Sequence, residues 1–195
     1  MPVKKYLLLV ITIALSFFAN NAKAQYYNNT FREDSWHVTI GPDIFGVLNP
    51  NQYIDNTNTK LPPIPNIVSR LGIGGTVHAE YYPNPFVGLT LGTGVEFFKA
   101  SGNGYKNQIV VPGTIGAKAF FSQTMYLGAE AGLAYTTLAY KDSHIAKIVS
   151  PALGYNDNNT GLDISLRYEL LHSKNQYMTS FGLHIAYSFD LSPTF

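Results

Sequence analysis

The sequence predicts an all-β chain closed into an eight-stranded antiparallel up-and-down transmembrane β-barrel, and three observations predict it. From Trp36 to Leu191 apolar residues recur at every second position, in segments of about the 9 to 11 residues that a tilted membrane-crossing strand needs. The connections between segments are polar or contain Pro and Gly, and they alternate between longer and shorter. Charged residues make up only 13% of the chain, against about 25% in soluble domains, while 12 Phe, 14 Tyr and one Trp make aromatics abundant. No helical period of similar length competes.

The elements follow in order. Residues 1–24 read as a secretory signal peptide: Lys4 and Lys5 form the basic region, Tyr6 to Phe18 the apolar region, and Ala22-Lys23-Ala24 the small-x-small cleavage site. The apolar run is shorter than the ~20 residues of a membrane-spanning helix. The mature chain is expected to begin at Gln25, with 10 basic and 12 acidic residues and a net charge of −2, which gives no reason to expect a nucleic-acid partner. Cysteine is absent, so an exported chain gains no disulfide and carries no lipid on an N-terminal Cys. Residues 25–35 form a polar periplasmic lead without periodicity, and 36–195 form the barrel.

The expected strands are Trp36 to Leu48, Leu71 to Tyr82, Phe86 to Ala100, Gln108 to Phe121, Met125 to Thr137, Ala146 to Tyr155, Gly161 to Leu171, and Tyr177 to Leu191. Pro151 interrupts the sixth; lacking a ladder donor, it calls for a bulge or a rim position. The connections after strands one, three, five and seven are Asn49 to Arg70, Ser101 to Asn107, Leu138 to Ile145 and His172 to Gln176, and those after two, four and six are Pro83 to Pro85, Ser122 to Thr124 and Asn156 to Thr160. Outer-membrane barrels have short periplasmic turns and longer outer loops, so this alternation puts both termini in the periplasm.

Each strand has two unlike faces. In the eighth, Phe181, Leu183, Ile185, Tyr187, Phe189 and Leu191 oppose Ser180, Gly182, His184, Ala186, Ser188 and Asp190. A soluble barrel shows the same period with its faces reversed. Few charges, many small residues on the polar face, and aromatics near strand ends favour lipid outside. Trp36, Tyr81, Phe97, Tyr135, Tyr168, Tyr187 and Phe189 would supply interfacial girdles.

The signal peptide ending Ala22-Lys23-Ala24-Gln25, the glycine-punctuated strands and the closing Gly182-Leu183-His184-Ile185-Ala186-Tyr187-Ser188-Phe189 resemble the small porin-like outer-membrane barrels of Bacteroidota. The architecture is similar to the membrane domain of outer membrane protein A. The resemblance covers the mature chain and implies an outer-membrane protein without enzymatic activity, contributing to envelope integrity or presenting its outer loops. Its implied partners are outer-membrane lipid, the barrel-assembly machinery during insertion, and an extracellular partner through Asn49 to Arg70. The resemblance also implies that the machinery reads the terminal aromatic Phe195, although Pro193 separates it from the strand and Phe189 is the alternative. No peptidoglycan-binding domain is expected after Leu191.

The inward face carries Glu80, Glu96, Lys118, Glu130, Asp163, Arg167 and Glu169. In eight strands the interior is just filled by side chains, so these are expected to form a hydrogen-bonded polar core, the alternative being a gated ion path. Lys118 and Glu130, across one short turn, are the pair expected to meet. His37, His78 and His184 fall on the inward faces of strands one, two and eight. Three imidazoles suit zinc or titrate near neutral pH, but no ligand spacing within a segment supports a metal, and none is expected, nor any cofactor. A barrel enzyme acting on outer-membrane lipid is the alternative function, since acyl-releasing barrel enzymes use a Ser, a His and a carboxylate. Its only trace is His172-Ser173 with Glu169, and adjacent residues on a strand point oppositely. A narrow channel or accessory of an export system is the third reading. Gly72-Ile73-Gly74-Gly75 and Gly92-Thr93-Gly94 look like phosphate loops but precede no helix; they are read as relieving crowding in the wall.

Overall fold

The computed structural model describes residues 32–48, 68–100, 107–137, 144–173 and 176–191. The expected signal peptide, Phe195 and most of the connection after the first strand lie outside them. Eight strands run in chain order: β1 (Ser35–Val47), β2 (Val68–Asn84), β3 (Val87–Ala100), β4 (Gln108–Phe120), β5 (Met125–Thr136), β6 (Ile145–Asp157), β7 (Leu162–Ser173) and β8 (Gln176–Asp190). Each pairs antiparallel with the next, and β8 pairs with β1, for example Asp43 with His184, so the sheet has no edge.

The connections separate the two ends. At one end only 85–86, 121–124 and 158–161 intervene; at the other the chain spans 48–67, 101–107, 137–144 and 174–175. The last of these, two residues long and shorter than 121–124 and 158–161, corrects the expected loop from His172 to Gln176 and breaks the alternation of lengths at that connection. Leu171, His172 and Ser173 go on pairing with Met178, Tyr177 and Gln176, because backbone pairing continues at a rim whatever the side-chain polarity. β2 likewise starts at Val68 and not Leu71, since a register shift between Val68 and Gly72 lets Val68 pair with Ala100 on β3.

Proline is handled differently from the sequence expectation. Pro151 sits inside β6 with neither bulge nor rim. It pairs with Ala129 on β5, while the β6–β7 ladder lapses at Ser150 and Pro151 and resumes in the same register from Ala152 to Arg167. Pro42 and Pro112 coincide with the same one-sided lapse, in β1–β8 and β3–β4. A missing N–H removes one rung on one side, and neighbouring rungs hold the register. Among the described prolines only Pro83 lies at a register shift, between Tyr81 and Asn84.

The wall turns its apolar residues outward. Ile40, Ile44, Ile73, Leu91, Ile115, Leu133, Leu166 and Leu183 are among many large apolar side chains left exposed. Aromatics gather toward the ends of this belt. Trp36 and Tyr81 face each other across β1 and β2 with ring centres 4.8 Å apart, and Tyr187 and Phe189 are 4.7 Å apart, all toward the short-turn end. Phe97, Tyr135 and Phe181 lie toward the other. The inside is packed by large residues seated over glycines. A Cβ on Gly154 would lie 2.2 Å from the Tyr126 ring, and one on Gly72 would lie 2.4 Å from Phe98, so each bare backbone makes room for a ring from a neighbouring strand.

Candidate functional site

The candidate site is the lumen, and it is layered. At the short-turn end Lys118 reaches from β4 across the interior, its Nζ donating to Glu80 Oε1 on β2 and Asp163 Oδ2 on β7, both at 2.7 Å. Each carboxylate is held further: the Tyr82 hydroxyl bonds Glu80, Tyr126 donates to Asp163 Oδ1 at 2.8 Å, and Asn156 Nδ2 donates to its Oδ2 at 2.9 Å. Nζ also lies 4.7 Å from the Tyr126 ring centre. One buried cation thus neutralises part of the charge on two buried carboxylates, and further hydrogen bonds give every one of their four oxygens a partner.

Lys118 therefore does not pair with Glu130, and the register gives the reason. Lys118 stands opposite Gly128 and Glu130 opposite Gly116, so the two are offset along the hairpin and each reaches across the lumen instead. Glu130 Oε1 lies 3.3 Å from His78 Nε2, and its Oε2 accepts from Thr114 at 2.8 Å. His184 Nδ1 is 2.7 Å from Asp43 Oδ1, with Thr76 Oγ1 3.3 Å from the same nitrogen. The His78 and His184 rings are 5.9 Å apart. His37 is not with them. It lies toward the short-turn end, between Ser35 and Ser188 at 3.1 and 3.3 Å, because β1 enters the ladder there and Asp43 six residues later faces His184. Among the described residues no group of three or more His, Cys, Asp or Glu is arranged to hold a metal.

Arg167 donates to Ser165 at 3.3 Å and interacts electrostatically with Glu130, Asp43 and Glu169. Glu96, fully buried, faces Glu169, Asp43 and Arg167, and neither of its carboxylate oxygens has a protein hydrogen-bond partner among the described residues. It lines a cavity with His78, Glu130, Ser150 and Arg167 whose volume of about 10 Å³ suits about one water molecule. Beyond this polar middle the lumen becomes apolar. Phe45, Val47, Phe98, Val110, Ala134, Ala146, Ile148, Leu171 and Met178 form one buried cluster at the long-connection end.

The serine, histidine and carboxylate considered for lipid hydrolysis do not converge. Glu169 is buried in the lumen, His172 is exposed on the outer wall, and Ser173 Oγ donates to the Ile145 carbonyl at 3.2 Å. Residues absent from the sequence reading also shape the lumen. Asp43 was legible, since it shares parity with His37 on β1. Phe45 shares that parity too, as do Tyr82 with Glu80, Phe98 with Glu96 and Tyr126 with Glu130; an expectation of a polar lumen gave these rings no place. Arg32 carries no periodic signal, yet it lies buried against Phe120 at the short-turn mouth.

A closed antiparallel barrel of eight strands, charged and filled within and apolar without, is a transmembrane β-barrel. No protein-family model and no curated protein sequence matches the chain. Solved structures do. Ail, the attachment invasion locus protein of Yersinia pestis, superposes with a TM-score of 0.54 at 14% identity, covering 80% of this chain and 99% of that one. The same protein in a phospholipid bilayer nanodisc gives 0.51 at 15% identity, over 80% and 100% of the two chains. The N-terminal β-barrel domain of Pseudomonas aeruginosa OprF gives 0.50 at 12% identity, over 78% and 97%. At such identity the likeness is one of fold: these neighbours are small eight-stranded outer-membrane barrels.

Proposed function

We propose that the chain is an integral protein of a bacterial outer membrane, without enzymatic activity, that contributes to envelope integrity and presents its longer connections to an extracellular partner. The observation that carries this reading is the inversion of polarity. Leucines, isoleucines and aromatics cover the outer wall, while Glu80, Glu96, Asp163 and Lys118 are buried within, an arrangement stable in lipid and insoluble in water. The fold neighbours from Yersinia pestis and Pseudomonas aeruginosa support the compartment. The short turns would face the periplasm together with both termini, residues 1–24 would direct export, and the barrel-assembly machinery would insert the chain. A source among the Bacteroidota belongs to the same proposal and rests on the sequence resemblance. Fractionation of expressing cells tests the compartment: the chain should sediment with outer membranes and run faster on gels when unheated. Recovery in the soluble fraction would overturn the reading. Lipid A mass spectra unchanged on deletion and overexpression are the expected result for a barrel without lipid-modifying activity.

A further inference from the structure

Arg32 precedes β1 and stands outside every strand, yet it is only 2% exposed. Its guanidinium closes the mouth ringed by the short turns. Nε donates to Asn158 Oδ1 at 2.8 Å, Nη1 to the Gln123 carbonyl at 2.8 Å, and Nη2 to the Asn156 carbonyl at 2.6 Å and to Asn156 Oδ1 at 2.8 Å. The group rests 4.0 Å from the Phe120 ring centre, with Tyr82 at 6.0 Å. These partners come from the ends of β2, β4 and β6 and from two separate turns. All four acceptors are neutral oxygens, and among the described residues Arg32 makes no ion pair.

That geometry selects a shape as well as a charge. A planar fork presents donors in several fixed directions while its flat face lies on a ring; an ammonium has three donors on one point and no flat face. Burial works against the charge and lowers the Arg32 pKa, opposed by Tyr82, Asp163 and Glu80. Arg32 also stands outside the ladder, so its departure from the mouth breaks no strand pair.

We propose that the short-turn mouth is a guanidinium-binding site, built by Phe120, Asn156, Asn158 and the Gln123 carbonyl, which Arg32 fills in cis as a removable plug. The ligand class that would replace it is an arginine side chain on an exposed peptide segment. The Lys118 cluster lies directly behind the plug, so exchange at this mouth opens that cluster to water.

Chemical rescue tests the proposal on the folded barrel in phospholipid nanodiscs. Arg32→Ala should lower the melting temperature. Ethylguanidinium should then restore it and shift the Asn156 side-chain amide resonances saturably, binding about tenfold or more tighter than n-propylammonium, a cation of similar size. Arg32→Lys, which keeps the charge and most of the stem, should fold, melt below wild type and gain stability from ethylguanidinium. Equal rescue by the two cations, no saturable shift in either variant, or an Arg32→Lys barrel indistinguishable from wild type would each overturn the site. None of these outcomes bears on whether the barrel resides in an outer membrane, so the two proposals fail separately.

Discussion

At the scale of single residues the lumen is a problem of pairing. Lys118 holds Glu80 and Asp163 at 2.7 Å, far from water. Removing the cation from such a group leaves two carboxylates facing each other without the ammonium that paired them. Breaking a buried ion pair typically costs about 3 to 5 kcal/mol, whereas replacing the whole group by neutral residues is often nearly free. Lys118→Met should therefore lower the unfolding free energy in urea by about that amount. The triple variant Lys118→Met, Glu80→Gln, Asp163→Asn should recover most of the loss. Equal destabilisation of both would mean that Lys118 acts through packing and not through charge.

At the scale of strands and turns, side-chain direction was legible and reach was not. A period of 2 assigns each residue to a face, and that is enough to place Glu80, Glu96, Lys118, Asp163, Arg167, Glu169 and the three histidines on the lumen side. It says nothing of how far strands slide past one another, so it misplaces the partner of Lys118 and leaves open whether His37 stands with His78 and His184. Phe97 and Phe98 show the same limit: one ring faces out and the next is fully buried, which depends on Gly72 lying opposite. Two predictions belong here. Leu166 and Leu183 face each other on the outer wall of β7 and β8, well inside both strands. Leu183→Arg should cost about 2 to 4 kcal/mol of folding stability in bilayers if that rung lies near the midplane, and proportionately less nearer an interface. Folding and insertion equal to wild type would count against lipid on this face. The orientation is tested by single-cysteine labelling, which is clean because the chain has no cysteine. A membrane-impermeant maleimide should label Asn56→Cys on intact cells and leave Asn159→Cys unlabelled until the outer membrane is permeabilised. The reverse pattern would invert the barrel.

At the scale of the whole molecule three closures stand in series along the axis: the apolar cluster around Phe45 and Phe98, the charged middle around Arg167, and the mouth held by Lys118 and Arg32. An ion must cross all of them, so the barrier is set by the highest and the removal of a lower one changes little. The apolar end is the most demanding, because a constriction lined by phenylalanine, valine and leucine excludes water as well as ions. The folded protein in planar bilayers should therefore show only small or rare openings. Arg167→Gln alone should destabilise the barrel yet leave conductance low, since the apolar closure is untouched. Phe98→Ser combined with Arg167→Gln should give longer and larger openings, by admitting water at one barrier and loosening the next. A large, steady wild-type conductance would show a permanent aqueous pore, and opening by Arg167→Gln alone would show that the apolar cluster is no barrier; either result would defeat the closed lumen.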